Sequence, residues 1–102
     1  MLVAMNPNFD LGDMRAFAAV GELQSFRAAA DAVHISRPAL SRRIDKLEEA
    51  LGVRLLDRTT RKVALTAVGR DFLRKTQDWL DELDAMMLGL GDVAARRIGD
   101  RK

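Results

Sequence analysis

The fold of this chain is decided by residues 25–52, SFRAAADAVHISRPALSRRIDKLEEALG. Ser25 is a good helix N-cap, and the apolar residues after it recur at the spacing of one helix face: Phe26, Ala29, Ala30 and Val33. After a brief turn, Ser36 offers a second N-cap. Pro38 then falls in the first turn, where its missing N–H removes no helical hydrogen bond. Two short helices joined by a tight turn predict a helix-turn-helix.

The second of these helices has two different faces. Its predicted buried stripe consists of Leu40, Ile44, Leu47 and Leu51, and Gly52 follows as a stop signal. Basic and hydroxyl side chains come early on the outer part of the helix, and the carboxylates of Asp45, Glu48 and Glu49 come late, where they would stay outside a DNA groove entered by the start of the helix. This polarity suits insertion of the helix, N-terminus first, into the major groove of DNA. The alternative is a surface helix whose arginines pair with Asp45 and Glu49.

Composition and charge limit the classes of function that this chain can have. The chain has 102 residues, 48% of them hydrophobic, which predicts one small domain with a thin core. Without cysteine and with a single histidine, it offers neither a thiolate metal site nor a catalytic set, so we expect no enzyme and no cofactor. The net charge is only +2, but residues 37–62 hold eight basic and four acidic side chains, which favours a polyanion partner. No signal peptide or membrane span is recognisable, which predicts a cytoplasmic protein with no membrane partner.

The flanking segments complete a mainly α-helical fold. A first helix is predicted from Leu11 to about Leu23, after a leader of residues 1–9, with Asp10 or Gly12 near its start. Residues 53–65 alternate weakly around DRTTRK, which predicts a β-hairpin wing and closes a winged helix-turn-helix domain of residues 10–65. Thr66 is expected to cap a long linker helix of residues 66–91, and residues 92–102 to form a frayed basic tail.

The long helix carries an apolar stripe that this small domain is not expected to cover alone. Its residues are spaced alternately by four and three positions, a heptad seam. They are Phe72, Thr76, Trp79, Leu83, Met86 and Leu90, and the stripe is widened by Leu73, Leu80 and Met87. The stripe therefore predicts a homodimer through this helix, because an exposed apolar patch marks an interaction surface.

Residues 25–69 resemble the winged helix-turn-helix domain of LysR-type transcriptional regulators, and the likeness covers about residues 10–88. The shared pattern runs from a serine-aromatic start and paired alanines, through a proline-containing helix with Ser-Arg and LEE-LG, to an Arg-Thr wing and Leu-Thr-x-x-Gly. The resemblance implies double-stranded DNA as the partner and antiparallel pairing of the linker helices on an inverted repeat, with a higher oligomer open to a full-length protein. The resemblance covers only the family's DNA-binding part, so we expect no inducer-binding domain within these residues. Three departures are Arg37, where glutamine is usual, Leu56, where phenylalanine is common, and Gln24, where glycine is frequent.

Carried over position by position, the resemblance implies that the groove is faced by Arg37, Pro38, Ser41 and Arg42. The hairpin residues Arg61 and Lys62 are further expected contacts.

Several roles stay open at the level of sequence. Ser25 and Ser36 could cap helices or also touch phosphate. Arg43 could meet phosphate or form an internal salt bridge, and Arg58 could brace the wing or bind DNA. A rival hypothesis is a protein-interaction module in which the helix-turn-helix is only a scaffold, although the basic wing argues against it.

Overall fold

The computed structural model describes residues 8–58 and 62–100, with side chains up to Gly91. The elements, in chain order, are α1 (Leu11–Leu23), α2 (Phe26–Val33), α3 (Arg37–Leu51), β1 (Leu56–Asp57), β2 (Ala64–Leu65) and α4 (Ala67–Asp100). The two short strands pair antiparallel, with Leu56 opposite Leu65. The predicted mainly α-helical, winged helix-turn-helix fold is confirmed. None of the helices in the described residues has the length and apolar character to cross a membrane.

Local capping explains where the first three helices begin. Asp10 rather than Gly12 caps α1, in a reciprocal capping box with Asp13. The hydroxyl oxygen of Ser25 accepts the Ala28 N–H at 3.0 Å, and that of Ser36 accepts the Ala39 N–H at 3.2 Å. Each cap satisfies a first-turn N–H that has no partner within its helix.

The core lies where α1, α2 and α3 meet the first strand. Its fully buried large side chains include Phe17, Val20, Leu40, Ile44, Leu47 and Leu55. Ala29 and Ala30 are also buried, and such small side chains allow the close helix packing expected of α2.

Glu48, one of the carboxylates late in α3, is buried, with a side chain that is only 8% exposed. A buried carboxylate is tolerated only when its oxygens are paired or hydrogen-bonded, and the residues after α3 supply the donors for this one.

The entry into α4 is fixed by contacts with the segment before β1. Thr66 caps the helix as predicted, since its hydroxyl oxygen accepts the Gly69 N–H at 2.9 Å. The same hydroxyl donates to the Arg54 carbonyl at 2.6 Å. A Cβ at Gly69 would lie 2.1 Å from the Leu55 carbonyl oxygen, so only glycine lets α4 approach this closely.

The long helix continues past its expected end. α4 runs to Asp100, so the frayed tail predicted from residue 92 is helical over most of its length; residues 101–102 lie outside the described part. Gly89 and Gly91 each lower helix stability by about 1 kcal/mol relative to alanine. The good helix formers around them evidently outweigh that loss.

The apolar stripe of α4 is divided between two environments. Phe72 is half-buried against the core, with its ring centroid 5.6 Å from that of Phe17, and Thr76 and Leu80 are buried within the chain. Further along, Leu83 is half-buried, while the exposed members are Trp79 (48% exposed), Met86, Met87 and Leu90. The part of the stripe open to a partner therefore begins at Trp79.

Candidate nucleic-acid interface

The N-terminal half of α3 forms a basic surface with few internal contacts. Arg37, Pro38 and Arg42 are exposed, and Ser41 is half-buried. Neither Arg37 nor Arg42 forms an ion pair with any residue that the structure describes. The first turn contains no acidic residue, so nothing there offsets the positive end of the helix dipole. Such a helix start carries positive charge that an external anion would complement.

A groove joins this surface to α2 and the hairpin. Ser25 and Arg27 line it from the start of α2, Arg37 from α3, and Lys62 from the hairpin. Ser25, Arg37 and Lys62 were predicted separately, and the fold brings them together. Arg27 was missed. It is exposed and makes no ion pair among the described residues. The signal that could have found it is a basic residue directly after a capping serine, in a first turn without acid.

The capping serines remain compatible with an anion. In each cap the hydroxyl oxygen accepts a backbone N–H, which leaves the hydroxyl proton available for donation. Ser25 and Ser36 are therefore caps in the structure. Each could also donate to a phosphate without breaking its cap.

Arg43 forms salt bridges with two carboxylates of α1 and its cap. Its Nη1 lies 3.0 Å from Asp13 Oδ1 and 3.4 Å from Asp10 Oδ1, and Lys46 Nζ lies 3.0 Å from Asp13 Oδ2. The Asp13 carboxylate is fully buried. The Asp13 backbone N–H, with the charges of Lys46 and Arg43, lowers the pKa of the Asp10 carboxyl below 3.8. Of the two roles left open for Arg43, the structure shows the internal salt bridge.

Arg58 likewise braces the wing. Its Nη2 lies 2.9 Å from Asp45 Oδ1 and 3.2 Å from Glu48 Oε1. The other Glu48 oxygen accepts the N–H groups of Leu55 and Leu56 at 2.8 and 3.1 Å. Glu48 thus fastens the start of the wing to α3, which sequence reasoning did not foresee. No group of three or more metal-ligating side chains lies together in the described part of the chain.

The tip of the wing is only partly described. Lys62 is exposed and lines the groove shared with Arg37. Arg61, predicted as a second tip contact, lies outside the described residues. The wing's placement beside the start of α3 therefore rests on Lys62 and the paired strands.

Comparison with known proteins identifies the family of this chain. Residues 11–70, more than half of the chain, match the family described as bacterial regulatory helix-turn-helix protein, lysR family. The chain belongs to the LysR family. It is 40% identical over 90 residues to the HTH-type transcriptional regulator YbhD of Escherichia coli (strain K12). It is 51% identical over 72 residues to the SDS degradation transcriptional activation protein of a Pseudomonas species.

These matches cover different shares of each protein. The YbhD match takes in 88% of this LysR-family chain and 28% of YbhD, and the Pseudomonas match 71% of this chain and 24% of the relative. This chain thus spans about a quarter of the length of those relatives. Among solved structures, this chain resembles a BenM DNA-binding domain in complex with catB site 1 DNA. The TM-score is 0.80 and the sequence identity 41%, and the match covers 84% of this chain and 96% of the BenM chain. A full-length OxyR from Pseudomonas aeruginosa gives a TM-score of 0.79 at 29% identity, covering 83% of this chain and 29% of OxyR.

Proposed function

We propose that this chain is the part of a LysR-type transcriptional regulator that binds double-stranded DNA in a sequence-specific manner. The observation that carries the proposal is the distribution of unpaired positive charge. Arg27, Arg37 and Arg42 have no carboxylate partner among the described residues, and all three lie exposed in the N-terminal halves of α2 and α3. Similarity to the BenM domain, whose solved structure contains DNA, supports the same function.

The proposed recognition places the N-terminal half of α3 in the major groove. Arg42 would read a guanine edge, because the arginine fork matches the two acceptors of guanine in that groove. Arg37, Pro38 and Ser41 would contact neighbouring bases or phosphates. Ser25, Ser36 and Arg27 at the helix starts would meet phosphates, which fix the register of the protein without reading sequence. Arg61 and Lys62 of the wing would contact the adjacent backbone or minor groove.

The proposed assembly is a homodimer through α4. Its exposed stripe from Trp79 to Leu90 is longer than the rest of the domain can cover, and α4 itself supplies a matching surface on a second copy. An antiparallel pair of these helices would present two α3 helices to an inverted repeat. Action on chromosomal DNA would place the protein in the cytoplasm with the nucleoid, and it requires neither a catalytic residue nor a cofactor.

The binding proposal is tested by selecting duplexes from random DNA and titrating wild type and Arg42→Ala on the selected and a scrambled sequence. We expect Arg42→Ala to lose about 1–3 kcal/mol on the selected duplex and less on the scrambled one. Arg74→Ala is the matched control, because Arg74 is paired with Asp71 on α4 and should leave both affinities unchanged. Failure of the wild type to select or retain any duplex would favour the protein-interaction alternative.

The dimer is tested by light scattering of Leu83→Asp and a matched Leu88→Asp variant. Leu83 lies on the stripe, whereas Leu88 is 76% exposed and lies off it. We expect Leu83→Asp to be a folded monomer that binds the intact operator much more weakly, since each half-site would lose its linked partner. Leu88→Asp should stay dimeric. A Leu83→Asp protein that remains a dimer would overturn the proposed interface.

A further inference from the structure

Two basic side chains of α3, Arg43 and Lys46, pair with carboxylates of the protein itself. The buried Asp13 carboxylate gives one oxygen to Arg43 Nη1 and the other to Lys46 Nζ, each at 3.0 Å. Asp10 Oδ1, 3.4 Å from Arg43, and Asp10 Oδ2, 3.9 Å from Lys46, add a second, exposed carboxylate. The Asp10 N–H also donates to Asp13 Oδ2 at 3.0 Å. Both oxygens of Asp13 are therefore occupied.

These two cations lie beside the proposed DNA surface rather than far from it. Arg43 directly follows Arg42, and Lys46 lies one helical turn after Arg42. The Arg43 and Lys46 side chains are 38% and 41% exposed, so neither is enclosed by the core. Without Asp13, both could turn towards the phosphates that flank the groove entered by α3.

Moving either Arg43 or Lys46 to a DNA phosphate would destabilise the protein. A carboxylate with no exposed surface depends on its paired cations, and removing one leaves a buried charge without compensation. Phosphate, by contrast, is present on every DNA sequence, so contacts to it raise affinity without discrimination. An aspartate that holds two cations therefore lowers sequence-independent binding and leaves Arg37 and Arg42 to contact the bases.

We propose that Asp13 is a specificity-determining residue that acts through Arg43 and Lys46, by withholding both from the DNA backbone. The inference rests on the proposed DNA binding. It assigns Asp13 a role besides capping α1, although Asp13 itself touches no DNA.

The test measures the affinity for random-sequence and selected duplexes as a function of salt concentration. Asp13→Asn retains an amide oxygen for the Asp10 N–H but removes the charge. It should raise affinity for random DNA about tenfold and steepen the slope of log K against log salt by about 1–2, since each phosphate neutralised contributes about 0.9. The ratio of selected to random affinity should fall.

Asp71→Asn is the matched control. Asp71 pairs with Arg74 and Lys75 on α4, so the substitution removes the same charge and also frees two cations, but on another element. Its slope should stay at the wild-type value. An equal gain in both variants would show a general charge effect and overturn the role of Asp13.

Lys46→Gln keeps the inference testable if Asp13→Asn does not fold. Because Asp13 holds Lys46 in the wild type, Lys46→Gln should leave the salt slope unchanged, whereas Arg27→Gln, at a proposed phosphate contact, should make it shallower. A drop of about 1 in the Lys46→Gln slope would show that Lys46 already contacts phosphate, and would overturn the inference. If wild type binds random DNA but Asp13→Asn folds and leaves the slope unchanged, only this inference fails. If wild type binds no DNA, the proposed function itself fails.

Discussion

Glu48 is expected to be the polar side chain on which the joint between α3 and the wing most depends. Glu48→Ala removes the acceptor of two backbone N–H groups, those of Leu55 and Leu56, and one of the two carboxylates paired with Arg58. A buried donor left without a partner costs about 1–3 kcal/mol, and breaking a buried charged contact about 3–5 kcal/mol. Because Arg58 keeps Asp45, we expect a total loss of about 3–5 kcal/mol in the free energy of unfolding.

Urea and thermal unfolding at fixed protein concentration, followed by circular dichroism, would measure this loss. For a domain of this size it corresponds to a fall in Tm of about 15–30 °C. Glu48→Gln keeps an acceptor oxygen and should lose less than Glu48→Ala. Glu49→Ala, at the exposed neighbouring position, should change the free energy by no more than about 0.5 kcal/mol. A Glu48→Ala variant as stable as Glu49→Ala would refute the reasoning.

Three further changes test other parts of the fold. Gly69→Ala should destabilise the fold by about 2–3 kcal/mol, because its Cβ would meet the Leu55 carbonyl oxygen. Gly89→Ala, which has open space around it, should stabilise α4 by up to about 1 kcal/mol. Equal unfolding free energies for the two variants would contradict this. Gln24→Gly should raise the free energy of urea unfolding by about 0.5–1 kcal/mol. Gln24 ends α1 at φ 53°, a left-handed conformation that glycine adopts without strain. A loss of stability would contradict this prediction. The lowered pKa of Asp10 means that its ionised form stabilises the fold above about pH 4 and that this contribution is lost as pH falls through the lowered pKa. Below about pH 4 wild type should therefore lose stability more steeply than Asp10→Asn in thermal unfolding; parallel curves would show that Asp10 contributes nothing.

The fold was largely predictable because its decisive signals are local. Ser25, Ser36 and Thr66 each cap a residue three positions ahead, and the core positions of α2 and α3 recur at helical spacing. The end of α4 was predicted less well, since glycine lowers helix stability without dictating where a helix stops. The heptad spacing of α4 also could not separate Thr76, buried within the chain, from Trp79, which is exposed.

The candidate site was predictable for side chains that are exposed on the helix surface. It was not predictable for side chains whose position depends on tertiary contacts. The family resemblance predicted Arg37 and Arg42 at the groove, and both side chains are exposed in the structure. Whether Arg43 faces DNA depends on Asp13, 30 residues earlier, and no helical spacing links the two. The burial of Glu48 depends on Leu55 and Leu56, beyond the turn after α3, whose backbone N–H groups donate to its carboxylate.

The central claim, that the exposed starts of α2 and α3 bind DNA, is tested most directly by NMR. A ¹⁵N-labelled sample would be titrated with a duplex selected from random DNA, and backbone amide and arginine side-chain shifts would be followed. The account predicts that the largest shifts fall at residues 25–27, 36–42 and 62, with small shifts in the C-terminal half of α3. Shifts confined to residues 79–91, or none at saturating duplex, would contradict it.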